Sequence, residues 1–194
     1  MSDLPYNKNL VGPLIARGGE HSVYHYDKKY VIKFPFGPRY WLNAEKFCAN
    51  LARDEEIVRE YFGDYLVQRE IKFYSNGRPS YVIIEPKITG RHLQKQDLKN
   101  FGLLSDFKNL IAINNKMAEH ENLSAELFGI KKLIFDGKTE VANIILEKYT
   151  NKLFLIDAGI MHFGRHKDQQ ILIDTVTKWA MRKQERLLKY YLEN

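Results

Sequence analysis

The sequence predicts an α+β chain in two lobes. Residues 1–85 form a five-stranded antiparallel sheet with one helix, and residues 86–194 form a smaller, mainly helical lobe. Three observations predict it. Short apolar runs separated by Gly-, Asn- and Asp-containing turns fill the first part. One tract of helical periodicity, Tyr40 to Phe62, interrupts them. Beyond a connector at 85–90 the spacing turns helical over Leu103–His120 and Lys167–Glu193, with a hairpin between them at Val141–Gly159.

Taken in order, residues 1–12 read as a loosely held polar arm. Leu14-Ile15-Ala16, Ser22–Tyr26 and Tyr30–Phe34 read as a three-stranded meander, with Gly18-Gly19 in its first turn. In the helical tract, Trp41, Ala44, Phe47, Cys48 and Leu51 make one apolar stripe, and Ile57, Val58, Tyr61 and Phe62 make another. Two stripes imply a bend, and Gly63-Asp64 marks the helix end. Strands follow near Tyr65–Tyr74 and Ser80–Glu85, joined by the turn pair Asn76-Gly77. Pro86 and Gly90 stop the last strand. The stretch Glu121 to Glu140 has no clear pattern.

Composition narrows the function classes. Aromatic residues at 13% argue against disorder, and no apolar run nears the ~18 residues of a membrane span. The N-terminus has no basic start followed by an apolar core, so it is not an ordinary secretory signal. The single cysteine, Cys48, excludes an internal disulfide, and its place between Phe47 and Leu51 suits a buried helix face. A cytoplasmic location is the expectation. The charge of +6 is modest for this length and speaks to solubility more than to a partner. The basic residues of the last helix, Lys167, Lys178, Arg182, Lys183, Arg186 and Lys189, are expected to face water around an apolar core stripe. Neither nucleic acid nor membrane is an expected partner.

Two polar positions stand out against apolar strands. Lys33 lies inside Val31-Ile32-Lys33-Phe34, where an ammonium needs an anion or a path to water. Asn143 opens one strand of the late hairpin and Asp157 closes the other. An amide oxygen beside a carboxylate on rigid strands suits a hard cation such as Mg²⁺.

The order of these features resembles the protein-kinase superfamily over roughly residues 12–160. A glycine turn precedes a strand lysine, then an acidic helix, a two-strand hairpin, a connector, a helix and an Asn-Ile-Ile-Leu … Ile-Asp-Ala-Gly element. Ile156-Asp157-Ala158-Gly159 is similar to D-F-G, with Ala158 in place of Phe, and Asp157 follows Asn143 by fourteen residues. The resemblance implies a nucleotide partner, ATP with Mg²⁺. It implies that Lys33 pairs with the phosphates, that Asp157 and Asn143 hold metal, and that Glu85 and Lys87 offer backbone hydrogen bonds to adenine. Ile84 becomes the gatekeeper behind the purine. Gly18 lies under the phosphates, and Leu14, Ile15, Val23 and Ile156 become apolar walls. For the helix acid that meets the lysine, aligning the helix end puts Asp54 or Glu55 nearest, and a bent helix allows Glu45; Glu55 is the choice.

Two departures qualify this. The G-x-G-x-x-G positions fall on Ala16, Gly18 and His21, so only the middle glycine matches. Arg17, Glu20 and His21 are expected to face water. Five residues before Asn143, where H-R-D-x-x-x-x-N carries its Asp, stands Lys138. The nearest acids are Asp136 and Glu140, of which Asp136 is the candidate base, and the alternative is that no base exists. Only 35 residues follow Gly159, so the resemblance implies a minimal kinase-like form without the peptide-docking half. The expected function is an atypical phosphotransferase acting on a protein or small-molecule hydroxyl. The alternative is a pseudokinase that binds nucleotide or protein without transfer.

Overall fold

A computed structural model describes residues 4–18, 20–127, 141–156 and 160–162, and, near the C-terminus, residues 182, 184–186 and 188–192. The chain is α+β and divides into two compact units. One contains Met1–Ile57 and Val67–Ile88; the other contains Val58–Leu66 and Thr89–Asn194.

The first unit is built on a five-stranded antiparallel sheet in the order β1-β2-β3-β5-β4. Its strands are β1 (Val11–Arg17), β2 (His21–Tyr26), β3 (Tyr30–Pro35), β4 (Glu70–Ser75) and β5 (Pro79–Pro86). The β4–β5 turn needs Gly77, whose φ of +78° disfavours any residue with a Cβ. Because side chains alternate along a strand, each face of the sheet has its own core. One face buries Ile32, Val82 and Ile84 beneath Tyr24, Tyr26, Phe34 and Tyr74. Tyr6 also packs there, its ring 5.2 Å from that of Phe34. The arm is therefore anchored at Tyr6 by an aromatic contact.

The other face buries Tyr81 and Ile83 against Tyr40 and Cys48, with Ala44, Phe47 and Leu51 packed around them. The helical tract breaks within its first stripe, between Trp41 and Ala44, and runs unbroken through the bend expected between the two stripes. Helix α1 (Pro38–Leu42) stops at Asn43, whose side chain accepts the Lys46 N–H at 3.0 Å and so caps α2 (Ala44–Phe62). The break takes Trp41 off the stripe and leaves it 56% exposed. Burial pushes the Cys48 thiol up, as befits a core side chain rather than a nucleophile.

In the second unit, Val58 and Phe62 at the end of α2 are buried, each contributing about 1.5–3 kcal/mol. Helix α3 (Phe101–Glu121) is capped by Asn100, whose side-chain oxygen accepts from the N–H groups of Gly102 and Leu103. It ends at Asn122, in the left-handed region at φ 55°. Its buried face carries Phe107, Leu110, Asn114 and Met117. A three-stranded sheet joins β6 (Gly90–Leu93), β8 (Val141–Glu147) and β9 (Leu153–Leu155) in the order β6-β8-β9. Gly90 is required there because a Cβ would overlap the Leu146 carbonyl. A two-stranded ribbon pairs β7 (Leu123–Ala125) with β10 (Ile160–His162). Among the described residues no helix is long and apolar enough to cross a membrane. The expected helix over Lys167–Glu193 is described only in part, and residues 184–186 and 188–192 are helical.

Candidate functional site

Lys33 is 5% exposed on β3, which β2 and β5 flank. The register sets Val23 opposite Lys33 on one side and Ile83 opposite it on the other, so these three share a face. Val23 therefore lies beside Lys33 on the sheet. Glu85, opposite Val31 in the same register, lies on that face one diagonal step away. Its Oε1 is 3.0 Å from Lys33 Nζ, with both side chains nearly excluded from water. An ammonium in this environment requires a counter-ion, and β5 supplies it.

This corrects the expected pairing of Lys33 with Glu55. The Glu55 carboxylate takes the Arg69 guanidinium instead. Arg69 Nε donates to its two oxygens at 3.0 and 2.8 Å, and a terminal nitrogen also donates. Both residues are buried. Arg69 immediately precedes β4, and its planar fork matches a carboxylate better than an ammonium does. Neither Asp54 nor Glu55 lies on a solvated helix face. Asp54 is buried and accepts from the neighbouring Arg53 at 3.0 Å.

Three further expectations in this unit are corrected. Ile84 pairs with Ile32 and packs in the core on the opposite face from Lys33, so it cannot stand as gatekeeper beside that lysine. The run Tyr81-Val82-Ile83-Ile84 is apolar throughout, because both faces of β5 are buried. The Lys87 N–H donates to the Lys29 carbonyl at 2.8 Å, which commits the donor intended for adenine. His21 does not face water; it is buried, with Nε2 2.8 Å from the Tyr81 hydroxyl. Gly18 sits in the β1–β2 turn with its N–H on the His21 carbonyl at 2.9 Å. A Cβ there would make only ordinary contact, so this turn does not demand glycine at 18. Leu14 and Ile15 lie exposed on edge strand β1.

In the second unit Asn143 is buried in β8. Its carbonyl accepts the Ile156 N–H at 2.9 Å, extending the hairpin one step past Leu155. Its side-chain nitrogen donates to the main-chain carbonyl of Glu126 at 2.5 Å, and its own N–H reaches the Leu127 carbonyl at 3.4 Å. Only the NH₂ end of an amide can face a carbonyl, so the side chain is oriented and Oδ1 is the end left to meet a cation. Such an oxygen fits Mg²⁺, which takes one or two protein oxygens and completes its shell with water and phosphate. Asp157, Asp136, Lys138 and Glu140 lie outside the described residues. Among the described residues no cluster of three His, Cys, Asp or Glu could hold a metal.

The Asn143 amide meets the main-chain carbonyl of Glu126, an acidic residue that the spacing did not single out. Glu126 stands seventeen residues before Asn143, not five, and immediately follows β7. The signal that could have found it is the short tract Leu123-Ser124-Ala125-Glu126-Leu127 directly after α3, read without insisting on the interval to Asn143.

No protein-family model matches the chain, and no curated protein matches it either.

Proposed function

We propose that this chain is a minimal, atypical kinase-like protein that holds ATP with Mg²⁺ and transfers its terminal phosphoryl group to a protein or small-molecule hydroxyl. The observation that carries this reading is the strand order β1-β2-β3-β5-β4 with a buried lysine on β3. The hydrogen bond from the Asn143 side chain to the main-chain carbonyl of Glu126 sets the backbone of an acidic residue against the expected metal-holding Asn.

In this reading Lys33 exchanges Glu85 for phosphate oxygens when nucleotide binds. Asn143, through Oδ1, and Asp157 would hold the cation. Bound Mg²⁺ supplies neutralisation of the charge on the phosphates. Glu126 orients the acceptor hydroxyl and takes its proton, which is bonded at the hydroxyl oxygen before transfer. General-base assistance of this kind is worth about 10²–10⁴ in rate. The lone thiol Cys48 suits a reducing, cytoplasmic setting.

A second reading, a pseudokinase that binds nucleotide or protein without transfer, is favoured by the Lys33–Glu85 pair and by the committed Lys87 amide. One experiment separates them: transfer of ³²P from ATP to the chain itself and to generic acceptors, run alongside thermal stability with ATP, with and without Mg²⁺. Transfer that collapses in Glu126→Gln while ATP still stabilises the protein establishes the phosphotransferase. Stabilisation without transfer, lost in Asp157→Ala, establishes the pseudokinase. Transfer that survives Glu126→Gln but fails in Asp136→Ala or Glu140→Ala moves the base. The absence of nucleotide binding under every condition overturns both readings.

A further inference from the structure

Ser124, Ala125 and Leu127 are buried, yet among the described residues short β7 pairs with β10 alone. Its backbone polar groups must be satisfied from elsewhere. Three amide side chains from three elements do this. Asn114 on α3 accepts the Ala125 N–H at 2.7 Å and donates to Ser124 Oγ at 3.0 Å. Asn143 on β8 donates to the Glu126 carbonyl. Gln184, in the C-terminal helical tract and 4% exposed, uses both ends of its amide. Its Oε1 accepts the Leu127 N–H at 2.9 Å, and its Nε2 donates to the Ala125 carbonyl at 3.3 Å.

Those two groups flank Glu126. Gln184 thus grips the backbone on both sides of the residue whose carbonyl anchors Asn143. We propose that Gln184 is a positioning residue: through residues 125–127 it fixes the direction of the Asn143 amide, and with it Oδ1. The part of this inference that concerns a cation rests on the kinase-like reading; the part that concerns the Asn143 amide does not. An outer partner of this kind characteristically sets metal affinity by about 10–100-fold.

The test uses the full chain. The side-chain NH₂ resonances of Asn143, assigned by their loss in Asn143→Asp, are followed by ¹⁵N–¹H NMR in Gln184→Met and Gln184→Glu. Leu110→Ala serves as a destabilised control. Gln184→Met keeps the length and loses both hydrogen bonds, so the Asn143 signals are expected to shift and lose protection from exchange, while Leu110→Ala leaves them in place. Gln184→Glu adds a pH dependence. Its carboxylate repels the Ala125 carbonyl at neutral pH. Once protonated it accepts from Leu127 and donates to Ala125, so mild acid is expected to restore the wild-type signals. Signals unmoved in Gln184→Met, moved equally in Leu110→Ala, or not restored in acid overturn the proposal. If Gln184→Met does not fold, the acid restoration in Gln184→Glu decides alone. Mn²⁺ affinity in the presence of ATP is measured in parallel. It is expected to weaken about tenfold or more in Gln184→Met. A wild-type chain that binds no Mn²⁺–ATP removes the cation role and the kinase-like reading, while the NMR signals still decide whether Gln184 orients Asn143.

Discussion

Around Lys33 buried charges meet buried charges; around Asn143 neutral amides hold the backbone. Among the described residues the first unit holds two ion pairs with both partners shielded from water, Lys33–Glu85 and Arg69–Glu55. The second joins Asn114, Asn143 and Gln184 to one short tract of backbone. The two solutions respond differently to change. A buried charge whose partner is removed becomes a large liability, whereas a buried amide that is removed leaves only a backbone group to resatisfy. Charges can also change partner when an anion arrives, whereas amides hold a direction. The lysine is thus suited to an exchange, and Asn143 to a fixed frame.

The largest expected effect breaks a charge pair. Glu55→Ala strips Arg69 of its carboxylate and is expected to destabilise the chain by about 3–5 kcal/mol in urea unfolding. Glu55→Leu with Arg69→Met is expected to recover most of that loss. A recovery of nothing would mean that the pair is needed for more than charge balance. Glu85→Gln is expected to cost less, about 2 kcal/mol, because the amide oxygen still accepts from Lys33. Added ATP should then stabilise this variant more than it stabilises wild type, since the lysine has lost its internal anion; equal stabilisation by thermal shift would argue against an exchange.

The amide network should yield smaller losses. Asn114→Ala removes the acceptor for the Ala125 N–H and the donor to Ser124, at about 1–3 kcal/mol. A loss as large as that of Glu55→Ala would dissolve the contrast between the units. Smallest is an effect of pH. Hydrogen bonding from the Arg91 side chain, against opposing burial and with help from the Gln94 N–H, holds the Asp97 carboxyl below its usual range. A folded value below the unfolded one means a contribution fully present above the unfolded value and lost as pH falls through the folded one. Arg91 is half exposed, so the contribution is screened and small. Acid unfolding curves of wild type and Asp97→Asn should therefore differ at neutral pH and converge in strong acid.

What the sequence made legible follows from locality. The meander, the Asn76-Gly77 hairpin, α2 and α3 each carry their period or turn within a dozen residues. The Val141–Leu155 hairpin shows the same alternation. The three- and four-residue strands β6, β7 and β10 are too short to show a period and exist because tertiary partners pair with them. The face of Ile84 was hidden because β5 is apolar on both sides. The partner of Lys33 came from strand register, which places Glu85 opposite Val31, fifty-four residues away. Glu126 was hidden by counting. A five-residue interval from Asn143 leads to Lys138, and only the fold shows which acid-bearing backbone the amide touches.

The proposed function stands or falls on whether the chain binds ATP with Mg²⁺, with Lys33 and Asn143 each probed on its own. It is tested most directly by titrating ATP with Mg²⁺ into the full chain by calorimetry, then repeating the titration with Lys33→Met and with Asn143→Ala. The account predicts saturable binding that requires Mg²⁺ and weakens about tenfold or more in each variant. Absence of binding to the wild-type chain, or binding that neither substitution alters, would contradict it.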